Sequence, residues 1–182
     1  VQSSLVIVPI NEFGSEEQKQ KFLVPLLSAE KTLHQKLTEP KGGADLANYQ
    51  SRAVRDGDDW LITGQKIWIS GFGEPDYLFG PMLTDPDAPR HRNLGYFLVP
   101  FPSEGLTMER MDLLSGNDQS VFFFDNVRVP GDHLIGGENQ GWQVTQTTLE
   151  IEHGGRGQAV PIDEAMENLL DFVKKTDRKS VV

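Results

Sequence analysis

The chain has 182 residues, enough for one medium domain with attached pieces, and its 37% apolar and 24% charged content is ordinary for a soluble globular protein. A formal net charge of −10 and a sequence pI near 4.8 make it a poor partner for nucleic acid, whose phosphates are neutralised by Lys and Arg. With no cysteine there is no disulfide, thiol nucleophile or Cys-ligated zinc, and the four histidines, His34, His91, His133 and His153, are too scattered to suggest a metal site.

The chain starts at Val1-Gln2, already inside an apolar pattern, and ends in "KKTDRKSVV", so it reads as an excerpt of something longer. No apolar run approaches membrane-spanning length and nothing at the start reads as a signal peptide, which makes the cytoplasm the default location. "LVIVPI" is a helix end or a buried linker. "GSEEQKQKFLVPLLSAEKT" is a helix whose start is marked by a capping box, Ser15 with Gln18, and by Glu16 and Glu17 at the positive end of the dipole. Pro25 is expected to shorten or bend it. Next comes "LTEPKGGADL", Leu37 to Leu46. Its glycine pair leaves backbone N–H groups uncovered and permits positive φ, which suits an anionic ligand, although the same residues make a plain surface turn.

From about Gln50 the period changes. "SRAVRDGDDWLITGQKIWIS" is two extended runs around the hairpin signal Asp56-Gly57-Asp58, with a further turn expected at Thr63-Gly64. "DYLFGPML", "LGYFLVPF", "LTMERM" and "SVFFFDNVRV" are short, rich in β-branched or aromatic residues, and bounded by Gly, Pro, Asp or Asn. Such spacing predicts an all-β sandwich or barrel. No GxGxxG joins a strand to a helix, so a Rossmann unit is not supported. After "VPGDHLIGGENQGW" the pattern is helical again: Val144, Thr148, Ile151 and Gly155 share a face, Pro161 interrupts, and Ile162, Met166, Leu169, Leu170 and Val173 form another stripe.

"LTEPKGGAD" followed by "GQKIWIS", Gly64 to Ser70, resembles the acyl-CoA dehydrogenase family, in which an LTEP-x-x-G-S-D loop precedes a G-x-K-x-W-I-[TS] strand. The resemblance continues in order through "FLVP", "GLTMERMDLLSGNDQSVFFFDNVRVP" and "LIGGENQGW", over essentially the whole chain. It implies an α+β fold: the end of an N-terminal helical domain (1–34), a mainly β sandwich or barrel middle domain (35–141), and the start of a C-terminal helical domain (142–182). It also implies FAD. Trp68 takes the position that lies against the isoalloxazine, Ser70 the one addressing the ring near N5, and Thr38 the one addressing its pyrimidine end. Leu37, Gly43, Ala44 and Ile69 complete the implied cofactor contacts. Without the surrounding match, Trp68 would read as a strand aromatic packed in a core. Two departures stand out: Ala44 replaces a family serine whose hydroxyl reaches ligand, and Gln35 replaces a frequent aromatic.

The resemblance further implies an acyl-CoA substrate met by Ala44, His91, Glu150, His153 and Arg156, with Arg90 and Arg92 as possible phosphate partners. The reaction would remove the α-proton of the thioester while the β-hydride passes to flavin. Most members carry the base in a C-terminal domain beyond this chain, and a minority carry it where Glu152 stands. Glu152 and Arg156 are also four apart, the spacing of a helical salt bridge, and that structural reading ranks first. Glu39, a carboxylate within the loop motif, reads as structural. Implied partners are an electron-transfer flavoprotein and homo- or hetero-oligomer contacts through the C-terminal helices. Competing readings are an acyl-CoA oxidase and a non-catalytic module that binds CoA or a partner and has lost flavin.

Overall fold

A computed structural model describes residues 2–70, 73–114, 119–153 and 164–175. The "LVIVPI" run lies within helix α1 (Gln2–Phe13), so it is helix and not linker. Ser15 caps α2 (Glu16–Gln18) reciprocally: its Oγ accepts the Gln18 N–H at 3.2 Å, and Gln18 Oε1 accepts the Ser15 N–H at 2.9 Å. The helix continues through a π-helical turn, Lys19–Leu23, into α3 (Val24–Leu27), with Pro25 in the first turn of α3. A proline lacks an N–H and crowds the carbonyl four residues back; the wider turn ahead of it accommodates both.

The strands are β1 (Leu33–Gln35), β2 (Arg52–Asp56), β3 (Asp59–Ser70), β4 (Tyr77–Leu83), β5 (Leu94–Pro100), β6 (Leu106–Met111), β7 (Gln119–Val129) and β8 (Leu134–Ile135). They form one sheet in the order β6-β7-β3-β2-β4-β5-β8, with β1 parallel to β4. β1 straddles the expected boundary between residues 34 and 35. The β2–β3 hairpin closes at Asp56 opposite Asp59, with Gly57 at φ 63°. No turn forms at Thr63-Gly64: β3 runs on through it, with a register shift between Ile62 and Gly64. The glycine is there for proximity, since a Cβ on Gly64 would lie 2.4 Å from Ser51 Oγ.

Side-chain alternation builds two cores. Phe97 and Val99 of β5 face an inner cluster shared with Trp60 and Ile62 of β3, Leu78 and Met82 of β4, and Phe122 and Phe124 of β7, so the sheet folds over on itself. Tyr96 and Leu98, on the other face, pack with Phe79 against Val6 and Ile10 of α1, Phe22, and Val144 of α4 (Gly141–Glu152). The result is the α+β arrangement expected.

In α4, Val144 and Thr148 are buried and Ile151 half-buried. The hydroxyls of Thr145 and Thr148 donate to the carbonyls of Gly141 and Val144 at 2.7 and 2.8 Å, so these threonines enter the core satisfied. A Cβ on Gly141 would sit 2.7 Å from the Leu94 backbone, which shows how closely α4 rests on β5. α5 (Glu164–Lys175) is helical as its pattern predicts, with Met166, Leu169, Leu170 and Val173 exposed. Gly155, Pro161 and Ile162 lie outside the described residues. No helix among the described residues is long and apolar enough to cross a membrane.

Candidate functional site

Two segments distant in sequence meet at one end of the inner core. The loop after β1 turns at Pro40-Lys41, where Glu39 and Gly42 exchange backbone hydrogen bonds of 3.0 and 3.1 Å. Neither Gly42 nor Gly43 adopts positive φ, and a Cβ on either would meet only ordinary contacts. The left-handed freedom expected of the pair is therefore unused; the proline and the paired hydrogen bonds shape the turn. Gly43 and Ala44 are exposed, while Leu37 and Thr38 are half-buried. The Thr38 carbonyl accepts the Ile67 N–H at 3.0 Å, which ties the loop to β3.

β3 bulges at that point. Lys66 pairs with Phe122 and Ile69 with Ser120, so three steps along β3 face two along β7. The extra residue resets the alternation. Lys66 and Ile69 are buried, whereas Trp68, at φ 61°, is 54% exposed. A tryptophan in the left-handed region costs roughly 1–3 kcal/mol and persists only where its surroundings hold it there.

Ser70 is exposed next along the strand, and its Oγ accepts from Gln119 Nε2 at 2.8 Å. Gln119 Oε1 is buried without a hydrogen-bond partner among the described residues. An exposed indole, the Thr38 and Ser70 hydroxyls and an orphaned amide oxygen suit a flat ring system with polar edges, so this face fits a flavin.

Behind it lies a buried polar knot that the sequence reading missed. Lys66 Nζ stands 2.8 Å from Glu39 Oε1, donates to the Pro81 carbonyl at 2.9 Å, and sits 4.2 Å from the centre of the Tyr49 ring. Glu39 Oε2 accepts the Gln50 N–H at 2.6 Å, and its Oε1 accepts that of Ser51 at 3.2 Å. Both partners of the pair are buried. Burial lowers the Lys66 amine to about 8, with Glu39 pulling the other way.

Nearby, Lys36 is also buried; its Nζ is 4.6 Å from the Phe122 ring centre, has no hydrogen-bond partner among the described residues, and is lowered to about 6 by burial. Burial, then Lys36, lowers His34 to about 4. A lone lysine within an apolar alternation was the available sequence signal for Lys66, and nothing in the string announced Lys36.

The remaining predicted residues lie on the β4–β5 loop and α4. Arg90 is ion-paired with Asp45 of the glycine loop, and its Nε contacts His91 Nε2 at 3.4 Å. The exposed His91 ring stacks on Trp142 at the start of α4, 4.4 Å between centroids and 23° between planes. Arg90 is therefore committed, while Arg92 has no ion pair among the described residues. Glu150 is half-buried and His153 exposed. Glu152 is exposed on the last turn of α4. Burial first, and with it the Glu152 carboxylate, holds the Tyr96 phenol above its usual range. Among the described residues nothing encloses Glu152 away from solvent. Arg156 lies outside the described residues, and so does its expected salt bridge. No group of three metal-ligating side chains occurs among the described residues.

Residues 35–127 match the profile of the acyl-CoA dehydrogenase middle domain, and residues 1–30 that of the acyl-CoA dehydrogenase N-terminal domain. The acyl-CoA dehydrogenase FadE34 of Mycobacterium tuberculosis is 35% identical over 164 residues, covering 88% of this chain and 23% of that protein. Among solved structures, an acyl-CoA dehydrogenase from Geobacillus kaustophilus matches with a TM-score of 0.76 at 34% identity, over 82% of this chain and 40% of that one. The ChsE4-ChsE5 complex from Mycobacterium tuberculosis matches at 0.74 and 34%, over 80% and 38%. The chain thus spans less than half the length of each of these relatives.

Proposed function

The chain belongs to the acyl-CoA dehydrogenase family, and we propose that it supplies the β-domain side of an FAD site for α,β-dehydrogenation of an acyl-CoA thioester to the trans-2-enoyl-CoA. The observation that carries this reading is the outward turn of Trp68 on a strained bulge, between Thr38 and Ser70. When bound, FAD would accept the β-hydride of the thioester.

The chain's own residues have separate tasks in this reading. Trp68 is the apolar wall, with half-buried Leu37 beside it, while Ile69, whose side chain packs in the inner core, borders the cofactor only through its backbone. Thr38 and Ser70 direct hydroxyls at the polar edges of the ring, where charge grows on reduction. Gln119 donates to Ser70 Oγ, which leaves the serine proton to point outward. Gly43 and Ala44 border the cofactor from the loop. On the thioester side stand Ala44, His91, Glu150 and His153, with Arg156 assigned to the same side from the family resemblance alone, and Arg92 meets a CoA phosphate as a point charge while Arg90 holds Asp45.

Glu152 is the candidate acceptor of the α-proton, and that role requires a further surface to cover it and exclude water. We place the boundaries of the helical, β and second helical parts at residues 34/35 and 141/142. A hetero- or homo-oligomer through C-terminal helices supplies such a surface, an arrangement supported by the likeness to the ChsE4-ChsE5 complex. An electron-transfer flavoprotein is the proposed electron acceptor, and the cytoplasm the proposed location.

The exposed Ala44 and Glu152 favour one second reading, a non-catalytic CoA- or partner-binding module. The visible spectrum of the purified chain after incubation with FAD and desalting separates the two. A retained flavin band, lost in Trp68→Ala, is expected for the flavin site; a colourless protein favours the module. With flavin bound, acyl-CoA bleaching that disappears in Glu152→Gln identifies the base, and slow reoxidation in air separates a dehydrogenase from an oxidase.

A further inference from the structure

Thr38 is held from both sides by one lysine. Lys66 Nζ forms the buried ion pair with Glu39, the residue after Thr38, and lies 3.5 Å from the carbonyl of Leu37, the residue before it. Thr38 itself accepts the N–H of Ile67, the residue after Lys66. The third anchor of the lysine is Pro81 O, which falls in the gap between β1 and β2 along the edge of β4 away from β5: β1 pairs with β4 as far as Phe79, and β2 begins pairing at Leu83. Glu39 in turn holds the Gln50 and Ser51 amides ahead of β2. One ion pair thus joins the loop, β3, β4 and the approach to β2.

A buried pair of this kind adds little net stability, because desolvation of both charges offsets their attraction; what it contributes is a single allowed arrangement. Here that arrangement sets the distance from the Thr38 hydroxyl to the bulge bearing Trp68 and Ser70. We propose that Glu39 and Lys66 are positioning residues that align Thr38 with Trp68 and Ser70 for flavin binding, an assignment that rests on the flavin reading above.

The test compares the wild-type chain, Lys66→Met, the double variant Glu39→Gln with Lys66→Met, and Val127→Ala as a core truncation remote from the loop. The double variant removes both buried charges together, so it keeps the fold where Lys66→Met alone strands a carboxylate. Two readouts are taken on each folded protein: amide exchange at Ile67, and FAD affinity with the visible circular dichroism of bound flavin. Expected for the double variant is at least about tenfold faster Ile67 exchange and about tenfold weaker FAD binding with altered flavin dichroism, at unchanged far-UV spectrum. Val127→Ala should lower thermal stability without either change.

Ile67 exchange and FAD affinity within about twofold of wild type in the folded double variant would overturn the proposal, as would equal effects in Val127→Ala. A wild-type chain that takes up no FAD overturns the flavin reading and the flavin role of the pair together. Exchange at Ile67 then still decides whether the pair anchors the loop.

Discussion

Glu39 and Glu152 both stand in motif segments, and the fold treats them in opposite ways. Glu39 is buried, paired with Lys66 and bonded to two backbone amides, at the meeting point of a loop and three strands. Glu152 is exposed on the last turn of one helix. The same chemical group is therefore a fixed strut in one region and a solvated carboxylate in the other. What differs is the number of elements packed around it. Among the described residues, the loop and its neighbouring strands close around Glu39, whereas the end of α4 leaves Glu152 open to solvent.

The comparison can be broken first at its buried end. Lys66→Met should cost roughly 3–5 kcal/mol, since it leaves Glu39 buried and unpaired, and urea unfolding should show most of the loss recovered when Glu39→Gln is added. A loss below about 1 kcal/mol, the range of surface pairs, would mean that water reaches the knot.

Lys36→Met should act in the opposite direction, stabilising by about 5 kcal/mol at pH 7. The folded amine sits near 6, below its ordinary 10.5, so between those values the unfolded chain holds a proton that the folded chain lacks. Wild-type stability then rises as pH increases from about 6 towards 10.5, and below about 6 the penalty is full and constant. The methionine variant should lose that slope, with its advantage greatest at and below pH 6 and vanishing above about pH 10.5. Parallel denaturation curves from pH 6 to 10 check this.

The α4 region should respond where it touches the sheet and stay silent where it does not. Gly141→Ala pushes a Cβ against the Leu94 backbone, and an overpacking cost of about 2 kcal/mol is expected in chemical denaturation. Glu152→Gln should change stability by less than about 0.5 kcal/mol, as exposed positions do. A larger loss would show that Glu152 is structurally engaged, and the contrast with Glu39 would fail.

Much of this was legible in the string. The Ser15–Gln18 capping box, the Asp56–Asp59 hairpin and the successive apolar runs each encode a local geometry, and each appears as read. Short-range signals misled where a long-range contact used the same residue. Gly64 reads as a turn but serves the approach of Ser51, and the Gly42-Gly43 pair keeps negative φ because Pro40 and the Glu39–Gly42 hydrogen bonds already bend the chain. Pro25 reads as a residue that shortens or bends the helix, and the π-helical turn before it carries the helix on as far as Leu27. Burial of Lys36 went unannounced, and the alternation around Lys66 could not name its partners, because what surrounds a buried charge comes from other segments that no local pattern records.

For Trp68 the division is sharpest. The string determined that an aromatic residue would stand on a strand of the β-module within a family motif, two residues before a serine able to hydrogen-bond. Strict alternation along β3 would have left that indole on the inner face with Trp60 and Ile62. Only the tertiary structure turned it outward, because the Ile67 N–H goes to Thr38 and β7 offers two residues against three. Register is a property of two strands and a loop together, so no single segment could have announced it.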